Sequence, residues 1–227
     1  MTSNFGELRR SFHDDLAELR SRVEEMAAVV VEGIRLVTDA LLDGDAAAAT
    51  AVVEADARID AVYPTVETDV FHLVATQSPV ARDLRFLMAT LRVAMEVERS
   101  GDLVASVGRR VADLDPVALT PAVRRLLSEM GVRATAMFTT AAAAYATLDA
   151  DRARALPAED DAMDELHRRL LHELFASDGA AVASVVELGL IARFYERVAD
   201  HAVVIAERVG FVVDGSMNAS DSDEQGW

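Results

Sequence analysis

Four pairs of acidic residues each place two carboxylates four positions apart: Asp56/Asp60, Glu98/Asp102, Asp160/Asp164 and Glu196/Asp200. On a helix such positions share one face, with Cβ atoms about 6 Å apart, and two like charges there repel by about 0.2–0.5 kcal/mol. A partly buried group of these carboxylates must be neutralised by protonation, by arginine or by cations. Oxygen-rich sites suit hard cations such as Mg²⁺, Ca²⁺, Mn²⁺ or iron. Glu67 continues the stripe of Asp56 and Asp60, and His167 lies with Asp160 and Asp164, so both are additional ligand candidates. In the competing reading these are solvated surface acids paired with Arg99 and Arg197, one in each Glu-Arg-x-x-Asp segment. Because both kinds of pair recur, metal binding and surface pairing stand side by side.

Other chemistries find less support. No nucleophile–base–orienter set and no phosphate-cradling Gly-rich loop is present. The absence of cysteine excludes disulfides, zinc–thiolate sites and thiol catalysis. The enzymatic alternative is a di-metal carboxylate oxidoreductase of the ferritin-like type, whose sites use Glu-x-x-His pairs. This sequence has none; Asp69/His72 and Asp164/His167 have the spacing with Asp, and only the second pair lies on a carboxylate stripe. The expectation is a protein that is not an enzyme, and a helical scaffold without metal is a third reading. His13, His72, His172 and His201 form no ligand-spaced cluster. The 39 acidic residues face 22 basic ones, all arginine, giving a net charge of -17. That balance argues against nucleic acid and against anionic lipid, both of which demand basic surfaces. Metal cations and basic protein surfaces match it better.

Long helices are needed to present these pairs, and the composition supplies them. Hydrophobic residues make up 52%, aromatics only 5%, and Gly and Pro are scarce, which favours helix over strand. The patterning predicts helices over about Ser3–Leu42, Ala46–Ala75 with a bend at Pro64, and a third opening at Pro79 and reaching about Leu114. Asp115-Pro116 starts a linker, and Thr120-Pro121 reads as an N-cap followed by Pro at the first helical position. Further helices are expected over Pro121–Leu148, Arg152–Phe175 and Ala180–Val213, with a break at Ser177-Asp178-Gly179. The tail from Asp214 to Trp227 is Ser/Asp-rich and expected to be disordered. The polar start, Met1 to Glu7, reads as no signal peptide, and no stretch approaches the ~20 apolar residues of a membrane span. A cytoplasmic protein is expected.

The six helices form two sets of three. Leu42-Asp43-Gly44-Asp45 recurs as Leu148-Asp149-Ala150-Asp151, Asp56-Ala57-Arg58-Ile59-Asp60 as Asp160-Asp161-Ala162-Met163-Asp164, and Val97-Glu98-Arg99-Ser100-Gly101-Asp102 as Tyr195-Glu196-Arg197-Val198-Ala199-Asp200. Such ordered self-similarity marks a duplicated unit. The expected fold is all-α: one three-helix bundle over residues 1–114, a second over 119–213, and a tail over 214–227. Packing the second helix on the third collects Asp56, Asp60, Glu98 and Asp102; the fifth on the sixth collects Asp160, Asp164, Glu196 and Asp200.

Gln77-Ser78-Pro79-Val80-Ala81-Arg82-Asp83-Leu84-Arg85 resembles the turn between the second and third helices of the PhoU family. The two Glu-Arg-x-x-Asp segments and the Asp-x-x-x-Asp pairs resemble that family's repeated acidic motifs, and the similarity covers about residues 5 to 213. The resemblance implies two three-helix bundles related by an internal pseudo-twofold. It implies multinuclear metal sites on the acidic motifs, with iron, manganese, magnesium or zinc as candidate ions. It also implies a regulator linking the ATPase subunit of the high-affinity phosphate ABC importer to a sensor histidine kinase, repressing the phosphate-starvation response when phosphate is plentiful. A homodimer is expected, reaching the membrane only through its partners. Two departures matter: Ser100 replaces an aliphatic residue common in the family, and Glu67 is matched by apolar Leu171, so the first site is richer in oxygen.

Overall fold

The computed structural model describes residues 2–114, 118–176 and 181–215, with side chains from residue 10 onward. Seven helices are present and no strand occurs among the described residues: α1 (Thr2–Asp43), α2 (Ala46–Gln77), α3 (Ala81–Val111), α4 (Pro121–Thr147), α5 (Ala150–Ala153), α6 (Leu156–Ala176) and α7 (Val182–Asp214). The expected linker at Asp115-Pro116, the break at Ser177-Asp178-Gly179 and the tail beyond Gly215 lie outside the described residues.

Local chemistry sets the boundaries. Asp45 caps α2 by accepting from the Ala47 and Ala48 amides at 3.0 and 2.9 Å, and Thr120 caps α4 through the Val123 amide, with Pro121 at the helix start. α2 runs on through Pro64. Pro79 does not open α3, which begins at Ala81 after a turn holding Ser78 and Ala81 at positive φ. The fifth expected helix is split into α5 and α6. Pro157 has no N–H and would clash with the carbonyl four residues back, so the chain restarts with Pro157 in the first turn of α6. α7 continues to Asp214, where Gly215 takes the left-handed cap conformation at φ 77°.

The duplicated turn is matched two residues away from the alignment that Leu42-Asp43-Gly44-Asp45 and Leu148-Asp149-Ala150-Asp151 invite. The left-handed residue is Gly44 in the first copy and Leu148 in the second, and the capping aspartates are Asp45 and Asp149. The Asp45 amide donates to the Ala40 carbonyl and the Asp149 amide to the Ala144 carbonyl in the same way. This register also relates Asp56 to Asp160, so one spacing serves the first two helices of the unit.

Four helices make the centre. α3 packs against α7, α1 against α4, and α1·α3 and α4·α7 close the group; α2 covers α1 and α3, and α6 covers α4 and α7. The two halves share one core, with Val23, Ile34, Leu87, Leu127, Phe138 and Ile191 all at 0% exposure. Each such side chain contributes roughly 1.5–3 kcal/mol of burial. Two buried hydroxyl pairs cross the seam: Thr38 with Tyr195 at 2.7 Å and Thr90 with Tyr145 at 2.9 Å. They satisfy polar groups that would otherwise be costly inside. No helix among the described residues is long and apolar enough to cross a membrane.

Candidate functional site

The α2/α3 hairpin presents Asp56, Asp60 and Glu67 from one helix and Glu98 and Asp102 from the other. Asp56 is half-buried, and its carboxyl is pushed up to about 6 by burial first, then by Asp60 and Asp102, against the opposing pull of Arg109. Glu98 is also raised, by burial and then by Asp102 and Asp60. These mutual effects arise because acids from both helices face a common strip. The Tyr63 hydroxyl donates to Glu67 at 2.9 Å, fixing that carboxylate beside the strip. Gly101 makes the approach close: a Cβ there would lie 2.5 Å from Asp56 Oδ1 and 2.8 Å from Ile59 Cδ1.

The α6/α7 hairpin repeats the arrangement. Burial pushes Asp160 up to about 6, with Asp200 and Asp164 adding to it. Glu196 is buried and raised to about 7 by burial and Asp200, with Arg193 opposing. Asp200 is raised as well, chiefly by burial. Arg193 forms an ion pair with Glu196, so the counter-charge comes from one turn earlier than Arg197, which is exposed. His167 stands near Asp164 and Arg193, its pKa lowered by burial and then by the arginine. It occupies the position of Tyr63, as Leu171 occupies that of Glu67.

Each set of four predicted carboxylates therefore lies on one hairpin, and Glu67 and His167 lie with their sets. Among the described residues no three such side chains close into a ready-made metal cage. The donor chemistry nevertheless fits a hard cation. Asp56 Oδ1, Asp160 Oδ1 and Glu196 Oε2 are buried without a hydrogen-bond partner, and the first two belong to repeat-related residues. Buried carboxylate oxygens without donors are costly, and a cation supplies what they lack.

A second polar feature escaped the sequence reading. Glu96, at 1% exposure, pairs with His201 across the α3·α7 seam and with Arg92 at 2.8 Å. Burial alone would raise its pKa, yet His201 and the arginines hold it below the usual glutamate value. The repeat places Phe194 opposite to Glu96 and Leu103 opposite to His201 in the other copy. Ser100, the departure noted above, is fully buried and donates to the Glu96 carbonyl at 2.7 Å. Only the Ala-rich, closely spaced surroundings of His201 hint at burial, and nothing in its spacing names Glu96 as its partner.

The chain matches the PhoU domain model twice, over residues 23–111 and 127–209. It is 34% identical over 211 residues to the phosphate-specific transport system accessory protein PhoU homolog 2 of Mycobacterium tuberculosis, covering 92% of this chain and 99% of that protein. It is 35% identical over 216 residues to PhoU homolog 1 of the same organism, covering 94% and 98%. Among solved structures, PhoU from Pseudomonas aeruginosa aligns with a TM-score of 0.85 at 28% identity, covering 90% of this chain and all of that one. The phosphate transport system regulatory protein PhoU from Streptococcus pneumoniae shares the fold with a TM-score of 0.84 at 24% identity, covering 91% and 98%.

Proposed function

This chain belongs to the PhoU domain family, and from that premise we propose that it is an accessory regulator of phosphate transport. In this reading it docks on the ATPase subunit of the phosphate ABC importer and on a sensor histidine kinase, and holds the phosphate-starvation response off when phosphate is plentiful. It acts in the cytoplasm, is not an enzyme, reaches the membrane only through its partners and self-associates as a homodimer. The observation that carries the reading is the extent of the likeness: relatives named as phosphate-specific transport accessory proteins match along more than nine-tenths of both chains. Deleting the gene is expected to give constitutive expression of phosphate-starvation genes in phosphate-rich medium, read with a reporter. Normal repression, together with no capture of the importer ATPase or the kinase by the purified protein, overturns the reading.

Metal binding at the two hairpins belongs to the same proposal. Asp56, Asp60, Glu98 and Asp102, with Glu67, would hold one site; Asp160, Asp164, Glu196 and Asp200, with His167, the other. Iron, manganese, magnesium or zinc would supply positive charge that offsets the carboxylate repulsion. The unpartnered oxygens of Asp56, Asp160 and Glu196 support this. Elemental analysis should find metal that disappears when Glu98, Asp102, Glu196 and Asp200 are all replaced by Ala; unchanged content would refute the assignment. A ferritin-like oxidoreductase needs its ligands inside a four-helix core. Here the central group of α1, α3, α4 and α7 is packed with apolar side chains around the Glu96–His201 pair and two hydroxyl pairs, and Asp60, Asp102 and Asp164 are exposed on the hairpins.

A further inference from the structure

Both hairpins leave large apolar side chains in water, and they do so at matching positions. Phe71 on α2 is 65% exposed, and its counterpart in the repeat, Phe175 on α6, is 78% exposed. Leu84 and Met88 on α3 are exposed, and so are their counterparts Val182 and Val186 on α7. One exposed phenylalanine needs no explanation; two at equivalent sites, each beside two exposed aliphatics, mark a surface kept for contact.

The helical spacing places these residues on the faces that carry the acids. On α2, Asp56, Asp60, Tyr63, Glu67 and Phe71 recur at three- to four-residue steps, as do Asp160, Asp164, His167, Leu171 and Phe175 on α6. On α3 the steps run Leu84, Met88, Leu91, Met95, Glu98, Asp102, and on α7 Val182, Val186, Gly189, Arg193, Glu196, Asp200. Asp56 lies against Gly101, so in the antiparallel hairpin Phe71 comes level with the stretch between Leu84 and Met88. Leu171 lies against Gly189, which brings Phe175 level with Val186. Each hairpin thus offers a strip that is apolar at the end where Phe71 or Phe175 lies and acidic toward the other end.

We propose that each strip is a docking groove for a basic amphipathic helix of a partner protein, which sets apolar anchors against Phe71, Leu84 and Met88, or Phe175, Val182 and Val186, and runs its arginines or lysines along the carboxylates. Charge complementarity selects this occupant. The first strip carries five carboxylates with Arg99 and Arg109 nearby and the second four with Arg193 and Arg197, so each is net negative before any cation binds. A second copy of this chain presents the same acids and would meet like with like. The reading rests on the regulatory function only for the identity of the partner, so a peptide can bind even if the importer and the kinase are not captured.

The test uses the full chain and a labelled synthetic helix of about 18 residues, with leucine on one face and arginine flanking one end. Fluorescence anisotropy and calorimetry should find two peptides per chain. Phe71→Asp and Phe175→Asp should each remove one, and the double variant should weaken binding about tenfold or more. Both residues are exposed, so circular dichroism should remain native. A scrambled peptide of the same composition should bind at least about tenfold more weakly. Equal binding of the scrambled peptide, or stoichiometry indifferent to both substitutions, overturns the proposal. So does a homodimer seen by light scattering that either phenylalanine variant dissolves, because the groove is then filled by a second copy.

Discussion

The α2/α3 and α6/α7 hairpins gather their acids by different means. In the first, Gly101 and Gly108 let α2 lie close to α3: a Cβ at Gly108 would come 2.9 Å from the Ala49 carbonyl oxygen and from Val53. The matching residues of α7 are Ala199 and Ala206, both buried. The first hairpin adds a fifth carboxylate, Glu67, held by Tyr63, where the second has Leu171 and His167. The second hairpin carries its own cation, Arg193, paired with Glu196, where the first has Met95. One backbone plan thus supports a tight, oxygen-rich strip and a looser one whose buried glutamate is paired with an arginine of its own helix. The seam between the halves is unequal too, with Glu96–His201 on one side and the positions of Phe194 and Leu103 on the other.

The largest expected effect tests that seam. His201→Leu leaves the buried Glu96 with only Arg92 and the more distant charge of Arg99 and should cost about 3–5 kcal/mol in urea unfolding. Pairing it with Glu96→Leu should recover most of the loss, since an apolar pair then stands on both sides; no recovery would mean the carboxylate is not what the histidine answers. Next comes the packing difference. Gly108→Ala forces a methyl onto backbone and should cost about 1–3 kcal/mol, or about 2–4 °C in Tm per kcal/mol. Ala206→Gly should cost only about 0.5–1 kcal/mol. Equal losses would show that the two hairpins pack alike.

The smallest effect separates the hairpins by pH. Asp56 and Asp160 at about 6 and Glu196 at about 7 sit above their ordinary values. The folded state therefore holds more protons than the unfolded one across this range. Metal-free protein should be most stable below the unfolded carboxyl values and lose stability as pH rises through about 6 to 7. Each group contributes on the order of 1 kcal/mol once solvent screening is allowed for. Asp56→Asn should remove about half of the slope that ends near 6, the rest being Asp160's, and Glu196→Gln the part extending to 7. Thermal melts from about pH 4 to pH 8 that show no slope in chelator would contradict the burial of these groups.

The helical fold was legible because periodicity, caps and the duplicated acidic motifs all pointed one way. The grouping of acids on each hairpin followed from i, i+4 geometry and antiparallel packing, which need no knowledge of side-chain contacts. What failed was local: Pro157 split a helix, Pro79 fell outside one, and the turn repeat was offset by two residues. Asp149 and Asp151 look alike in sequence, and only the left-handed Leu148 shows which of them is the cap. Arg193 rather than Arg197 answers Glu196 because the i, i+3 neighbour reaches back over the same turn. Glu96 and His201 were illegible because they lie on separate helices far apart in the chain, and long-range pairing leaves no mark in spacing.

Both copies of the unit are carried by a single polypeptide that shares one interior. In an assembly of two identical chains, any replacement lands twice, and a residue on the axis must tolerate its own image. Fusion lifts that restriction: an acid can be introduced on one side of the seam and a base on the other without either having to face itself. Glu96 and His201 are such an unlike pair, and they give the molecule a handed middle that a symmetric pair of chains could not possess.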